Sequence, residues 1–417
     1  MSSQSSSWPL LIPIIALILI APVHAEGAGQ LKVIVTGIAE SIPIGASWVR
    51  AEPSLTGIIV PSREGWGGMQ PSHVQKMIRI YFPRTYEELA GYDFFLLCQV
   101  DMTYFTGRQD LWMHDAIAER GVGGINTRSV QSMIASYSYT WVSSLLQSAF
   151  PNDALAVVEH QYYTGNKQAL GQMVVNEDAS LPPIVSPYLE QVERTFTAYR
   201  GLVTSPRPGS KIYTWIRTDL DQLGEPTPGD IPHLFEWTYL NGTTFTAMDM
   251  LTDGFWNGRE NPFTLDIITN IIWHSSGMEL PDDAVMVHLL RERFLSYDLI
   301  RATLGSVLEF AEKFGANTNQ LYDELSTIED RKDEADSAYL GGEFQESNDI
   351  MAEVFEDLEG LDEEAVGLKD RALAWVFAIE WLVVSATSMI CGAVLWLVMV
   401  RRRLYREVGA TRGRKVL

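Results

Sequence analysis

Three regimes of hydrophobic patterning follow one another along the chain. Short apolar runs broken by Gly and Pro fill the first two thirds, apolar residues at helical spacing come next, and an uncharged apolar run closed by arginines ends it. In the first regime Leu31 to Thr36 (LKVIVT), closed by Gly37, and Met77 to Phe82 (MIRIYF) read as strands. So does Tyr92 to Val100 (YDFFLLCQV), which is apolar almost throughout, as a parallel strand covered on both faces should be. Thr106 to Arg120 carries apolar residues at helical spacing, with Leu111, Ala116 and Ile117 on one side, and Gly121 to Asn126 turns into a further strand. This βαβ succession predicts an α/β fold with a doubly wound, mostly parallel sheet and right-handed crossovers. The Pro-rich passages 181–187 and 205–209 read as surface loops, and no internal repeat is present.

From Asp283 to Phe314 the pattern becomes amphipathic. A second helix is expected from Leu321 to Tyr339, and a third from Glu343 into the final apolar run. On the third, Ile350, Val354, Leu358, Leu361, Ala365 and Leu368 form one narrow stripe. Packing it antiparallel against Leu321, Leu325, Ile328 and Ala335 makes a coiled-coil-like helical hairpin; the alternative occupant of the stripe is a second protein. The run Trp381 to Val400 carries no charge and spans about 30 Å as a helix, the thickness of a bilayer's hydrocarbon core. Arg401, Arg402, Arg403 and Arg406 follow it, so the positive-inside rule places the C-terminus in the cytoplasm. At the other end Leu10 to Ala21 is apolar and Val23-His24-Ala25 resembles a signal-peptidase site, although no Lys or Arg precedes it.

These readings divide the chain into a signal peptide (1–25), an α/β ectodomain (26–280), an acidic helical stalk (281–371), a transmembrane helix (372–400) and a basic tail (401–417). They describe a single-pass cell-membrane protein with its large domain outside, the bilayer as one partner, and a protein partner reached through the stalk or ectodomain. A fragment from Glu26 to about Leu280 is expected to fold alone. Net charge changes the picture further, because −22 disfavours nucleic acid. Cys98 and Cys391 are the only cysteines, and the second lies in the apolar run, so no intrachain disulfide is expected. The seven histidines form no HExxH pattern and no Cys/His cluster, so neither a metal nor another cofactor is indicated.

The order of Tyr92-Asp93, Glu119-Arg120-Gly121-Val122-Gly123-Gly124, Phe150-Pro151, Phe255-Trp256, Asn261-Pro262 and Asn270 to Trp273 resembles the class I glutamine amidotransferase-like domains, over roughly residues 30 to 280. The resemblance implies a flavodoxin-like fold and a catalytic cysteine on the turn after the Gly-rich strand. Here that turn reads Ile125-Asn126-Thr127-Arg128-Ser129 and holds no cysteine. A non-catalytic, surface-exposed module that binds a ligand or protein is therefore expected, without glutaminase activity. The alternative is an extracytoplasmic hydrolase or transferase with a non-cysteine site. Candidate pocket residues are Asp101, Asn126, Thr127, Arg128, Trp256 and His274, although His274 also suits a helix C-terminus and Trp256 a core. Asp219, Asp221 and Asp253 are acidic enough to attract a cation but lack calcium-loop spacing. Asn241-Gly242-Thr243 is a candidate glycan acceptor on a hairpin-like turn.

Overall fold

The computed structural model describes residues 29–37, 49, 52–62, 70–127, 140–158, 169–199, 203–217, 231–249 and 254–413. The expected signal peptide, Arg128, Ser129, Asp219, Asp221 and Asp253 lie outside them. Among the described residues the strands are β1 (Leu31–Gly37), β2 (Leu55–Pro61), β3 (Phe94–Cys98), β4 (Gly123–Thr127), β5 (Asn152–Val158), β6 (Ala169–Val175), β7 (Phe196–Tyr199), β8 (Val203–Pro206), β9 (Lys211–Arg217), β10 (Ile231–Tyr239) and β11 (Gly242–Ala247). The helices are α1 (Pro71–Tyr81), α2 (Tyr86–Leu89), α3 (Gly107–Arg120), α4 (Leu189–Val192), α5 (Thr264–Ser275), α6 (Ala284–Lys313), α7 (Asn319–Leu340) and α8 (Phe344–Gly413).

One sheet of nine strands runs in the order β2-β1-β3-β4-β11-β10-β9-β6-β7, while β5 and β8 pair separately. From β2 to β11 neighbours are parallel, in the order of a doubly wound sheet. From β11 to β7 they are antiparallel, so the sheet is mixed rather than mostly parallel. The reason lies in the connections: β10 and β11 are separated only by Leu240 and Asn241, too little chain for the crossover that a parallel pair needs.

Both faces of the parallel part are covered, which explains the unbroken apolar character of β3. Val33, Val35, Phe94, Leu96, Ile125 and Phe245 pack with Ile267, Ile268, Ile271 and Ile272 of α5. On the other face Ile34, Phe95 and Leu97 pack with Met113, Ala116 and Ile117 of α3 and with Trp141 and Phe150. α3 opens on a reciprocal capping box between Thr106 and Gln109 and closes on left-handed Gly121. Leu111, expected on the inner side, is 42% exposed. A second departure is Met77 to Phe82, which lies mostly in α1 rather than in a strand. Pro71 starts that helix, and Val74 and Ile78, one turn apart, are its buried positions. Burial at a four-residue spacing overrides the β-propensity of MIRIY, and β2, which the sequence pattern did not mark, takes the place beside β1.

The C-terminal helices form a three-helix bundle rather than a hairpin. The predicted stripe is buried as expected: Val354, Leu358, Leu361 and Ala365 of α8 share a core with Leu321, Leu325, Ile328 and Ala335 of α7. Leu290, Phe294, Leu304 and Leu308 of α6 complete that core, which explains why the α6 apolar pattern is as long as it is. α8 then continues without a break for 70 residues. It is long and apolar enough to cross a membrane, and none of its most apolar window is buried in the protein. The bundle attaches at the amino edge of the parallel strands, where Leu31 and Trp273 join its core and Trp273 Nε1 donates to Ser54 Oγ at 2.9 Å.

Candidate functional site

Ligand sites of doubly wound sheets lie beyond the carboxyl ends of the parallel strands. Four of the candidate residues lie at that edge. Asn126 and Thr127 are the last two residues of β4, in register with Leu97 and Cys98 of β3 on one side and with Thr246 and Ala247 of β11 on the other. They belong to the strand and not to a turn. Strand alternation sends Asn126 toward the α3 face and Thr127 toward the α5 face, so together they wrap the strand end instead of lining one wall. Both are fully buried. Among the described residues neither Asn126 Nδ2, Asn126 Oδ1 nor Thr127 Oγ1 has a hydrogen-bond partner, and Ser62 Oγ, just past β2, is likewise buried and unpaired.

Asp101 is engaged locally instead. Its Oδ1 accepts from Thr103 N at 3.0 Å, Thr103 Oγ1 at 2.7 Å and Thr140 Oγ1 at 3.2 Å, capping the short turn that leads to α3. Trp256 is fully buried and donates through Nε1 to Asp249 Oδ1 at 2.6 Å, so it closes the edge rather than offering a face to a ligand. Asp249, two residues beyond β11, also accepts from Thr197 Oγ1 at 2.8 Å. His233 Nε2 stands 2.8 Å from its Oδ1 without hydrogen-bond alignment, and Thr214 Oγ1 sits 2.8 Å from His233 Nδ1. This Thr214-His233-Asp249 chain is wholly buried, and sequence spacing gave no sign of it.

At this edge a left-handed residue follows β3. Gln99, directly after β3, has φ of 52°, whereas Thr127 closes β4 in extended conformation. β1 and β3 approach so closely there that a Cβ on Gly37, whose φ is 108°, would lie 1.9 Å from the Cys98 carbonyl oxygen. Burial pushes the Cys98 thiol up to about 12, so it stays protonated near neutral pH.

His274 does not join this edge. It sits near the far end of α5, whose next residue, Ser275, crowds Gly123 at the amino end of β4. The length of β4, about 13 Å, separates the two places. There His274 Nε2 lies 3.2 Å from Glu236 Oε2; Lys211 Nζ donates to Oε1 at 2.9 Å, and the Tyr213 hydroxyl donates to Oε2. Burial alone pushes the Glu236 carboxyl up, but the hydrogen bonds of His274, Tyr213 and Lys211, with the charge of His274, outweigh it and hold the carboxyl at about 2. A depressed carboxylate contributes stability that is complete above the ordinary Glu range and is lost as pH falls toward the depressed value. Thermal melts from about pH 5 to about pH 2 should therefore show a steeper acid loss in the wild type than in Glu236→Gln. Parallel curves would remove Glu236 from the acid response. Asn241 is exposed in the two-residue turn between β10 and β11, and its Nδ2 donates to Glu119 O at 3.2 Å.

No protein-family model and no curated protein matches the chain. Among solved structures, two cytoplasmic proteins of Salmonella typhimurium are similar at 13% and 14% identity, each over 59% of this chain and 99% of its own, with TM-scores of 0.39. A ThuA-like protein of Parabacteroides merdae is similar at 12% identity over 61% of this chain and 94% of its own, with a TM-score of 0.35. At TM-scores this low the likeness decides neither fold nor chemistry.

Proposed function

We propose that the chain is a membrane-anchored, non-catalytic binding module of the amidotransferase-like kind, which takes its ligand or partner at the carboxyl edge of β3 and β4. The observation that carries this reading is Asn126. A buried amide with both polar atoms unpaired costs about 1–3 kcal/mol, and such a cost is commonly kept where a bound molecule can recover it. The neighbouring hydroxyl of Thr127, unpaired among the described residues, extends the same polar edge, and the buried, protonated Cys98 supplies no nucleophile beside it. The uncharged part of α8 provides the anchor, with the arginines from Arg401 onward on the cytoplasmic side.

Stability reports on this reading before any ligand is known. Asn126→Leu removes both unpaired atoms at similar volume and should stabilise the free protein by about 1–3 kcal/mol, seen as a higher midpoint in urea. A binding residue traded against stability behaves this way. If Asn126→Leu lowers the midpoint instead, Asn126 is a structural residue and the proposed edge is not a binding site.

A further inference from the structure

The α/β domain and the helical bundle meet across a buried charge cluster. Arg291 of α6 is 1% exposed. Its Nη1 donates to Asp266 Oδ1 of α5 at 3.0 Å and to Asn270 Oδ1 at 3.4 Å, and its Nε donates to the Tyr339 hydroxyl of α7 at 2.9 Å. Glu52 Oε2, in the segment before β2, stands 3.2 Å from the same Nε as an ionic contact without hydrogen-bond alignment, because that N–H points at Tyr339. The guanidinium also lies 4.8 Å from the Trp273 ring centre. Nη2 has no hydrogen-bond partner among the described residues.

One guanidinium thus faces two buried carboxylates. The fourth member of the cluster is His288, one turn before Arg291. Its Nδ1 lies 2.6 Å from Asp266 Oδ2, its ring centre is 4.4 Å from that of Phe263, and its Nε2 is 3.7 Å from the half-exposed Glu292. The Tyr188 hydroxyl closes the cluster from the segment before α4, accepting from Asn270 Nδ2 at 3.5 Å. Counting the charges of Glu52, Asp266 and Arg291, the cluster carries one unbalanced negative charge when His288 is neutral and none when it is protonated. An unbalanced buried charge is expensive, whereas a balanced and hydrogen-bonded set is tolerated.

We propose that His288 is a pH-sensitive latch between the α/β domain and its helical stalk, closed when the imidazole is protonated and loosened when it is neutral. Burial opposes that charge, but the hydrogen bond and charge of Asp266, with a further contribution from Glu292, outweigh burial and raise the imidazole above its ordinary range despite the opposing Arg291. A raised histidine contributes stability that is complete below its unfolded value and is lost as pH rises through the folded one. The latch therefore weakens on going from mildly acidic to alkaline conditions.

Hydrogen exchange of the full chain in detergent micelles tests this at about pH 6 and about pH 8.5, corrected for the intrinsic rate, on either side of the ordinary histidine midpoint of about 6.5. Peptides covering 284–298 and 335–345 should lose protection at the higher pH, as the raised imidazole gives up its proton. In His288→Gln the same peptides should show equally low protection at both. An undiminished pH response in His288→Gln overturns the latch. Histidine NMR titration of the unaltered protein provides an independent test should the variant fail to fold. A His288 midpoint clearly above about 6.5 supports the proposal, and one at or below it overturns it.

Discussion

Replacing Arg291 with alanine should destabilise the folded chain by about 3–5 kcal/mol, the range for breaking a buried ion pair from one side. The expectation rests on what the substitution leaves behind. Glu52 would remain almost fully buried without a cation and Asp266 with only His288 beside it, and Tyr339 and Asn270 would each lose a hydrogen-bond partner. The cavity left by a fully buried arginine adds to the loss. Urea unfolding followed by tryptophan fluorescence reads this directly, and adding Asp266→Asn and Glu52→Gln to Arg291→Ala should recover part of it by removing the stranded charges. A loss below about 1 kcal/mol would mean that water or a counter-ion already compensates those carboxylates. The same geometry bears on the fragment ending near Leu280: it lacks Arg291, exposes Trp273 and leaves Asp266 uncompensated. Its stability should therefore fall well below that of the α/β domain within the full chain.

Ending the chain at Arg371 should move it from the membrane fraction to the soluble fraction. The segment removed holds Trp375, Phe377, Trp381, Leu382, Met389 and Trp396, each at least 60% exposed and none covered by the bundle. A contiguous apolar surface of that size is not tolerated in water, whereas an uncharged helix of about 30 Å matches a bilayer. The bundle itself ends near Ala372, so the truncated chain keeps its three buried cores. Carbonate extraction and sedimentation of both forms decide the matter. Release of the full-length chain by carbonate would refute the anchor, and protease digestion of a C-terminal tag on intact cells would reverse the proposed orientation.

Period and length made the helical part legible from residues alone. α7 and the stalk portion of α8 were marked by an apolar residue every three or four positions, and α8 lacks any breaker strong enough to stop it before the apolar run. Strands β1 and β3 were legible because a strand buried on both faces must be apolar at both parities. MIRIY misled because β-branched and aromatic residues favour strands only until a helix offers Val74 and Ile78 a buried seat. The antiparallel wing could not be read, since short strands with mixed patterning take their register from partners far away in sequence, as when Met173 of β6 meets Ile216 of β9.

The site divides in the same way. The sequence by itself determined that no cysteine follows the Gly-rich strand and that the last helix carries an uncharged length fit for a bilayer, whereas it places Asn126 and Thr127 in a turn and the structure makes them the end of β4. Only the tertiary structure decided that Trp256 is a buried lid on Asp249, that Asp101 caps a turn, and that His274 lies a strand length away beside Glu236. It alone also brought Glu52, Asp266, His288 and Arg291 together. The reason is physical: periodicity fixes which side of its own element a residue occupies, whereas a buried charge finds its partner only after separate elements have packed, and the long stretch of chain between Glu52 and Arg291 leaves no local trace of that meeting.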